Sequence, residues 1–306
     1  MNAPATEPSL RPDLAALLEE LRPKANSLIV TVFGDAIMPR GGTIWLSDLV
    51  HLMALFGLSE RHVRTGVYRL SQEGWLTSQT EGRRARYTLS GEGLRRFAEA
   101  DQRIYALGKA EASDQWTLVQ GLADLVQSER QALRRTLKWL GFGQLSTSLM
   151  ALPAPAPPGL SAALEAAGLQ DRVVVFHSSV APGFSRSALP NAAVQAWPLG
   201  ELSTEYETFA NRFRSLVTDP DHLTGQSAFA ARVLLIHEYR RILLKDPHLP
   251  SAFLPGEWAG TAAKELCSGV YRAVVNTAED WLSQTLSAPA KAAPTPASEF
   301  WQRFSI

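Results

Sequence analysis

Apolar residues recur three and four positions apart over two neighbouring stretches in the first third of the chain. This spacing predicts a short amphipathic helix over Ser47–Phe56 and a second one over Glu60–Glu73. Gly57 can make a tight turn between them, and Ser59 is well placed to cap the second helix. The positions expected to face one another are Leu49, Leu52, Met53 and Phe56 in the first helix, and Val63, Val67 and Leu70 in the second.

A hairpin pattern follows the second predicted helix. Trp75–Ser78 and Arg86–Leu89 are typical of strands, and Glu81–Ala85 would form an arginine-rich tip between them. Thr43–Leu46 indicates a further small strand that pairs with this hairpin. Helix, turn, basic helix and hairpin is the layout of a winged helix-turn-helix, which places its second helix in the major groove of double-stranded DNA. The residues expected to contact DNA are Ser59, Arg61, His62, Arg64, Thr65, Tyr68, Arg69, Arg83, Arg84 and Arg86.

We expect these residues to make two kinds of contact with DNA. Arg64 and Tyr68 are the best candidates for base contact, while the hairpin arginines would hold phosphates or enter a narrow minor groove. The alternative is that the arginines only solvate a helix face and a turn. Arg69 is the weakest candidate, because it can pair with Glu73 four residues later.

The remaining pattern predicts a multidomain α+β protein. Residues 1–110 would form the winged helix-turn-helix head, in which Ser27 is expected to cap the helix after Pro23. Residues 111–198 alternate strand and helix, which predicts a small ferredoxin-like domain with a buried strand at Val173–His177. Residues 199–306 predict a mainly helical domain, whose aromatic segment Phe300–Phe304 we expect to dock back onto the protein because it is too apolar to remain in water.

Composition narrows the class of protein. The chain has 306 residues with 45% hydrophobic and 20% charged residues and no formal net charge, which is typical of a soluble globular protein. Between Arg61 and Arg86, six arginines stand against two glutamates, so the positive charge is local. The single cysteine, Cys267, and the lack of any apolar run near about 18 residues favour a cytoplasmic protein without a membrane span.

The sequence gives little support for an enzyme or for a metal or cofactor site. The six histidines are scattered without ligand spacing, which argues against a zinc site. Gly141-Phe142-Gly143 begins like a dinucleotide-binding loop, but it follows a helix and lacks the third glycine, so we interpret it as a helix stop. We therefore expect a protein that is not an enzyme and has no cofactor.

Several stretches together resemble the PaaX family, repressors of phenylacetic acid catabolic operons. The stretches are Gly34-Asp35, Pro39–Gly42, Ser59–Thr65, Gly74–Leu76, Gly82–Tyr87, Trp139–Gly143, His237–Arg241, Lys245–Pro247, Leu254-Pro255, Trp258–Gly260 and Trp301–Phe304. The resemblance implies a winged-helix head, a ferredoxin-like dimerisation domain and a helical C-terminal domain. It also implies a homodimeric repressor that releases its operator when phenylacetyl-coenzyme A binds.

Contacts to such an effector are harder to place. Arg240, Arg241 and Lys245 could bind the phosphates of the effector. Tyr239 and Trp258 could contact its adenine or phenyl ring. The alternative is a packing site between helices, with the arginines paired to Glu238 or Asp246 and Trp258 in the core. A different class of function, an acyl-coenzyme A-handling enzyme with an incidental winged-helix domain, also stays open.

Overall fold

The computed structural model describes residues 10–105, 115–157, 159–179, 188–218, 223, 225–287 and 295–305. The chain forms two compact units. The first unit comprises the described residues within 1–107, 208–243 and 262–306, and the second unit those within 108–207 and 244–261. The division into three consecutive domains stays a prediction.

Helices dominate both units. In chain order they are α1 (Pro12–Leu21), α2 (Ala25–Val32), α3 (Leu46–Ala54), α4 (Glu60–Gln72), α5 (Gly91–Tyr105), α6 (Gln127–Trp139), α7 (Gly159–Ala166), α8 (Leu189–Ala196), α9 (Leu199–Phe213), α10 (Ser215–Thr218), α11 (Gly225–Leu243) and α12 (Ala259–Thr285). A π-helical turn (Phe33–Ile37) and a 3-10 turn (Met38–Arg40) continue α2, and further 3-10 turns lie at Leu122–Asp124, Ser251–Phe253 and Ser298–Ser305. The strands are β1 (Thr43–Trp45), β2 (Leu76–Glu81), β3 (Arg84–Leu89), β4 (Gln115–Gln120), β5 (Gly143–Gln144), β6 (Leu149–Leu152) and β7 (Val174–Ser179).

The first unit contains a three-stranded antiparallel sheet in the order β1-β3-β2. The small strand before α3 therefore pairs with the hairpin, as its sequence predicts. The hairpin is longer than expected, because pairing continues to Glu81 opposite Arg84. The tip is not the five residues Glu81–Ala85 but the two-residue turn Gly82-Arg83, where Gly82 takes a positive φ of 61° that suits glycine.

Helix α11 lies at the centre of the first unit. Nearly all of its side chains are buried, including Phe229, Val233, Ile236 and Tyr239. A helix that is covered on every side belongs to the interior of a domain. N-terminal and C-terminal segments of the chain therefore share one core.

That core also contains charges. Arg232, fully buried on α11, lies 2.8 Å from the Asp35 carboxylate through Nε and 2.5 Å from Glu279 through Nη1. The second Glu279 oxygen accepts a hydrogen bond from the buried Arg40. Burial alone would lower the pKa of Arg232, but the two carboxylates raise it above its ordinary value. Each of these four buried charges thus has a partner of opposite sign.

The aromatic segment near residue 300 docks onto this cluster, as expected. Phe300 and Phe304 are buried, and Arg303 lies over the Tyr105 ring at 4.0 Å. The Arg303 guanidinium donates to the Asp35 carbonyl at 2.8 Å and pairs with Asp101. Residues 298–305 therefore complete the core around Asp35. The sequence also predicts that the helix from Ser90 continues to about Lys109 and that the Ala/Pro-rich segment over residues 287–298 is mobile, but residues 106–109 and 288–294 lie outside the described ones.

The second unit is built on a four-stranded antiparallel sheet in the order β5-β6-β4-β7. Alternate side chains of β4 point to opposite faces of this sheet. Val119 joins a cluster with α6 and α7, whereas Trp116 joins a cluster with Trp197 and Phe253. The alternation of strand and helix that the sequence predicts is therefore present.

Two details of the second unit bear on the predictions. Gly141, with a positive φ of 93°, follows the end of α6, and its carbonyl accepts a hydrogen bond from the Trp197 indole at 2.9 Å. The interpretation of this glycine pair as a helix stop is confirmed. The strand predicted at Val173–His177 is present as β7, but the prediction that it is buried is wrong, because β7 is an edge strand and both Val174 and Phe176 are exposed.

Candidate nucleic-acid interface

Helix α4 begins as its sequence predicts. The Ser59 hydroxyl accepts a hydrogen bond from the backbone N–H of His62 at 3.4 Å and shares a second one with His62 Nδ1 at 3.1 Å. This cap satisfies one of the N–H groups that the first helical turn leaves without a partner. Both side chains are exposed at the N-terminus of α4, where their contact with DNA stays a prediction.

Helix α4 has one buried face and one exposed basic face. The buried residues are Val63, Gly66, Val67 and Leu70, and the exposed ones include Arg61, Arg64, Thr65, Tyr68 and Arg69. At 100° per residue these two sets point in opposite directions. Tyr68 is 63% exposed, so its ring and hydroxyl are accessible to a ligand.

Two of the exposed arginines differ in their pairing. Arg64 forms an ion pair with Glu60 one turn earlier at 2.6 Å, with both side chains more than half exposed. Such a pair contributes about 0.3–0.5 kcal/mol, so a phosphate or a base can displace Glu60 at little cost. Arg69 forms no ion pair within the described residues. The ion pair with Glu73 that the spacing allows is not formed, and the two residues share only the backbone hydrogen bond from the Glu73 N–H to the Arg69 carbonyl.

The hairpin arginines are positioned by an aromatic ring. The Arg84 guanidinium lies 4.4 Å from the centroid of the Trp45 ring, and the Arg86 guanidinium lies 5.8 Å from the same centroid. Arg86 also donates a hydrogen bond to Gln79 at 2.6 Å. These contacts hold both cations against the Trp45 ring. Arg83, in the two-residue turn, is exposed and has no ion pair among the described residues. It is therefore accessible to a ligand beside the hairpin.

The residues proposed for effector contact lie in different units and already have partners. In the first unit, Tyr239 packs on Phe209 with ring centroids 5.6 Å apart, and Arg240 donates to the carbonyl and hydroxyl of Ser27. Arg241 donates to Glu238 at 3.1 Å, as the packing alternative supposes.

In the second unit, Lys245 donates to Glu205 at 2.7 Å, and Trp258 meets Tyr206 edge to face with centroids 5.9 Å apart. Effector contact by these residues stays a prediction.

Sequence reasoning missed two residues that shape the basic face. At Gly66, α4 lies close against the Ile29 and Asn26 side chains of α2, and glycine inside an otherwise regular helix was the signal that could have revealed it. Trp45 was assigned to a strand, and its role as a platform for the hairpin arginines depends on the β1-β3 pairing.

The described part of the chain contains no helix that is long and apolar enough to cross a membrane. Within the same residues, no three His, Cys, Asp or Glu side chains group together as metal ligands.

Comparison with known proteins defines the class. Three family models match the chain in order: "PaaX-like protein" over residues 24–93, "PaaX protein central Cas2-like domain" over 109–189 and "PaaX-like protein C-terminal domain" over 197–284. The transcriptional repressor PaaX of Escherichia coli strain K12 is 39% identical over 283 residues, which cover 91% of this chain and 89% of that protein. The chain belongs to the PaaX family, which confirms the resemblance seen in its sequence.

A solved structure shares the fold. The uncharacterized protein Rv0674 from Mycobacterium tuberculosis superposes with a TM-score of 0.54, covering 84% of this chain and 98% of that chain. Its sequence is 21% identical, so the likeness concerns the fold alone.

Proposed function

We propose that this protein is a DNA-binding transcriptional repressor whose residues 1–110 act as a winged helix-turn-helix head. The observation that carries the proposal is the exposed basic face of α4 beside a hairpin with Arg83 at its turn. Helix α4 would read bases from the major groove through Arg64 and Tyr68, and the hairpin would hold the phosphate backbone. The name of the Escherichia coli relative, a transcriptional repressor, supports this class of function.

The target would be an operon for phenylacetic acid catabolism, bound in the cytoplasm by a homodimer. Residues 111–198, as a ferredoxin-like domain, would pair two copies so that the two heads meet a two-fold operator. Paired heads require half-sites at a fixed spacing, which increases specificity over that of a single head. The family resemblance supports both the operon and the dimer.

Phenylacetyl-coenzyme A would release the repressor by binding to the helical part within residues 199–306. The thioester can shift the protein from the DNA-bound state only by as much as its affinities for the two states differ. It must therefore bind the DNA-free arrangement of the heads more tightly.

The test is a gel shift with the DNA upstream of the protein's own operon at moderate salt. The free protein is expected to retard this fragment more strongly than a scrambled one, and phenylacetyl-coenzyme A is expected to abolish the shift. Failure of the free protein to bind would refute the repressor. Binding that only another acyl thioester reverses would refute the effector alone. Thioester turnover without DNA affinity would instead favour an acyl-coenzyme A-handling enzyme.

Substitution of single arginines separates base reading from phosphate contact. Arg64→Ala is expected to weaken operator binding by about 1–3 kcal/mol and to relax sequence preference, because one base contact is lost. Arg83→Ala is expected to weaken binding to all sequences and to reduce the slope of log K against log salt by about one. The matched control is Arg272→Ala, which removes an exposed arginine from α12 in the same unit. Equal effects of Arg64→Ala and Arg272→Ala would contradict base reading by α4.

A further inference from the structure

Helix α2 lies between α11 and α4 and contacts them with different faces. Ser27 and Thr31 face α11, whereas Asn26 and Ile29 face α4. On a helical projection these two faces are roughly 150° apart. Helix α2 therefore separates the central helix of the first unit from the helix that carries the basic face.

Polar contacts fix α2 to α11. Arg240 Nη2 donates to the Ser27 hydroxyl at 3.1 Å and to its carbonyl at 3.3 Å. His237 Nδ1 and Thr31 Oγ1 share a buried hydrogen bond of 3.0 Å. Arg240 and His237 lie three residues apart on α11, and they bind residues four apart on α2. The two contacts together fix the position of α2 along its axis and its rotation about that axis relative to α11.

Helix α4 packs closely against α2 at Gly66, which has no side chain. A Cβ atom added to Gly66 would lie 2.5 Å from Ile29 Cδ1 and 3.2 Å from Asn26 Oδ1. The first distance is shorter than carbon atoms tolerate. Ile29 is completely buried, so its side chain has little space to move away. Glycine therefore lets α4 lie this close to α2 without displacing the Ile29 side chain.

We propose that Arg240 and Gly66 are positioning residues that set the location of α4 relative to α11 through α2. This inference rests on the proposed function, in which α4 reads the operator. Arg240 thereby acts on DNA binding from within the protein, as an anchor for Ser27. A displacement of α11 then moves α2 as a rigid spacer, and α4 moves with it.

Gly66→Ala tests the contact between α2 and α4. Alanine favours the helix, so the fold is retained, but its methyl group separates α4 from α2. Operator affinity is expected to fall about tenfold, as for one misplaced base contact, with the salt dependence unchanged because the phosphate contacts remain. Ile29→Val removes the Cδ1 atom that the new methyl group would meet, so the Gly66→Ala/Ile29→Val protein is expected to bind within about twofold of Ile29→Val alone.

Gly269→Ala is the matched control. Gly269 lies within α12 of the same unit, and a Cβ added there meets no atom within 4 Å. If wild-type protein binds the operator and Gly66→Ala binds as tightly as Gly269→Ala, the positioning role is refuted and the proposed function stands. A loss in Gly66→Ala that Ile29→Val does not reverse also refutes it. Absence of operator binding by wild-type protein refutes the proposed function itself.

Arg240→Gln and Arg241→Gln give a second test, which decides the question if Gly66→Ala does not fold. Arg240→Gln removes the anchor on Ser27, whereas Arg241→Gln removes the half-exposed neighbour that pairs with Glu238. Without any thioester, Arg240→Gln is expected to lower operator affinity about tenfold relative to Arg241→Gln. Equal affinities of the two variants, both measured without thioester, would overturn the positioning role of Arg240.

Discussion

The arginines on the exposed face of α4 and the arginines inside the first unit are the same residue type in opposite surroundings. Arg61, Arg64 and Arg69 lie in solvent, and the one ion pair among them joins two exposed side chains. Arg232 and Arg303 are buried and contact carboxylates from distant parts of the chain. The exposed set can exchange its partners for DNA, whereas the buried set cannot leave its partners without a large loss of free energy.

This difference follows from the desolvation of charge. A buried guanidinium that loses its carboxylate has neither water nor a counterion, but an exposed one simply returns to water. Burial and pairing therefore decide whether an arginine in this protein is structural or available to a ligand. Three measurements test that division.

The largest expected effect is that of Arg232→Met. Methionine has about the volume of the arginine that it replaces. Asp35 then keeps Arg303 as a cationic partner, and Glu279 keeps Arg40, but both lose Arg232. We expect the free energy of unfolding in urea to fall by about 3 kcal/mol, the lower end of the cost of breaking a buried pair. The matched control, Arg69→Met on the exposed face of α4, is expected to change it by less than about 0.5 kcal/mol. Similar losses in both variants would contradict the division.

A smaller effect is expected from pH through His237. Burial, assisted by the positive charges of Arg240 and Arg241, lowers the pKa of His237 from 6.5 to about 4. Between these values the unfolded chain binds a proton that the native protein does not, so stability falls as the pH decreases from 7 towards 4. At pH 5 the loss is about 2 kcal/mol.

The measurement is urea unfolding at pH 7 and pH 5 for wild-type protein and His237→Gln, which keeps a hydrogen-bonding group near Thr31 but does not titrate. The variant is expected to lose about 2 kcal/mol less than wild-type protein over this interval. Parallel losses would show that His237 titrates normally in the folded protein.

The smallest effect belongs to the exposed pair of Arg64 and Glu60. A double-mutant cycle with alanine at both positions is expected to give a coupling energy of about 0.3–0.5 kcal/mol that decreases with salt. A coupling above about 1 kcal/mol would place this pair with the buried set and make Arg64 a poor base reader.

Local periodicity was sufficient to predict the basic helix and its cap. Val63, Val67 and Leu70 mark the buried face of α4, and Ser59 marks its start, because these signals depend on neighbours within one or two turns. The hairpin was found but its tip was misplaced, since Arg84 pairs with Glu81 in a register that only the sheet defines.

Features that depend on distant partners could not be predicted. Arg232 interrupts an apolar stretch of α11, yet its partner Asp35 is far away in sequence. Ser27 was expected to cap α2, but α2 begins at Ala25, and Ser27 accepts hydrogen bonds from Arg240 instead. Val174 is apolar and exposed because β7 lies at a sheet edge, which a single sequence does not reveal.

The pairing of Asp35 has a consequence for synthesis on the ribosome. Its two cationic partners, Arg232 and Arg303, are translated almost two hundred residues or more after it. Until they emerge, a nascent chain that buried Asp35 would bury a carboxylate without a counterion, which is strongly unfavourable. We therefore expect the N-terminal segment to reach its folded core only after the later helices have been made.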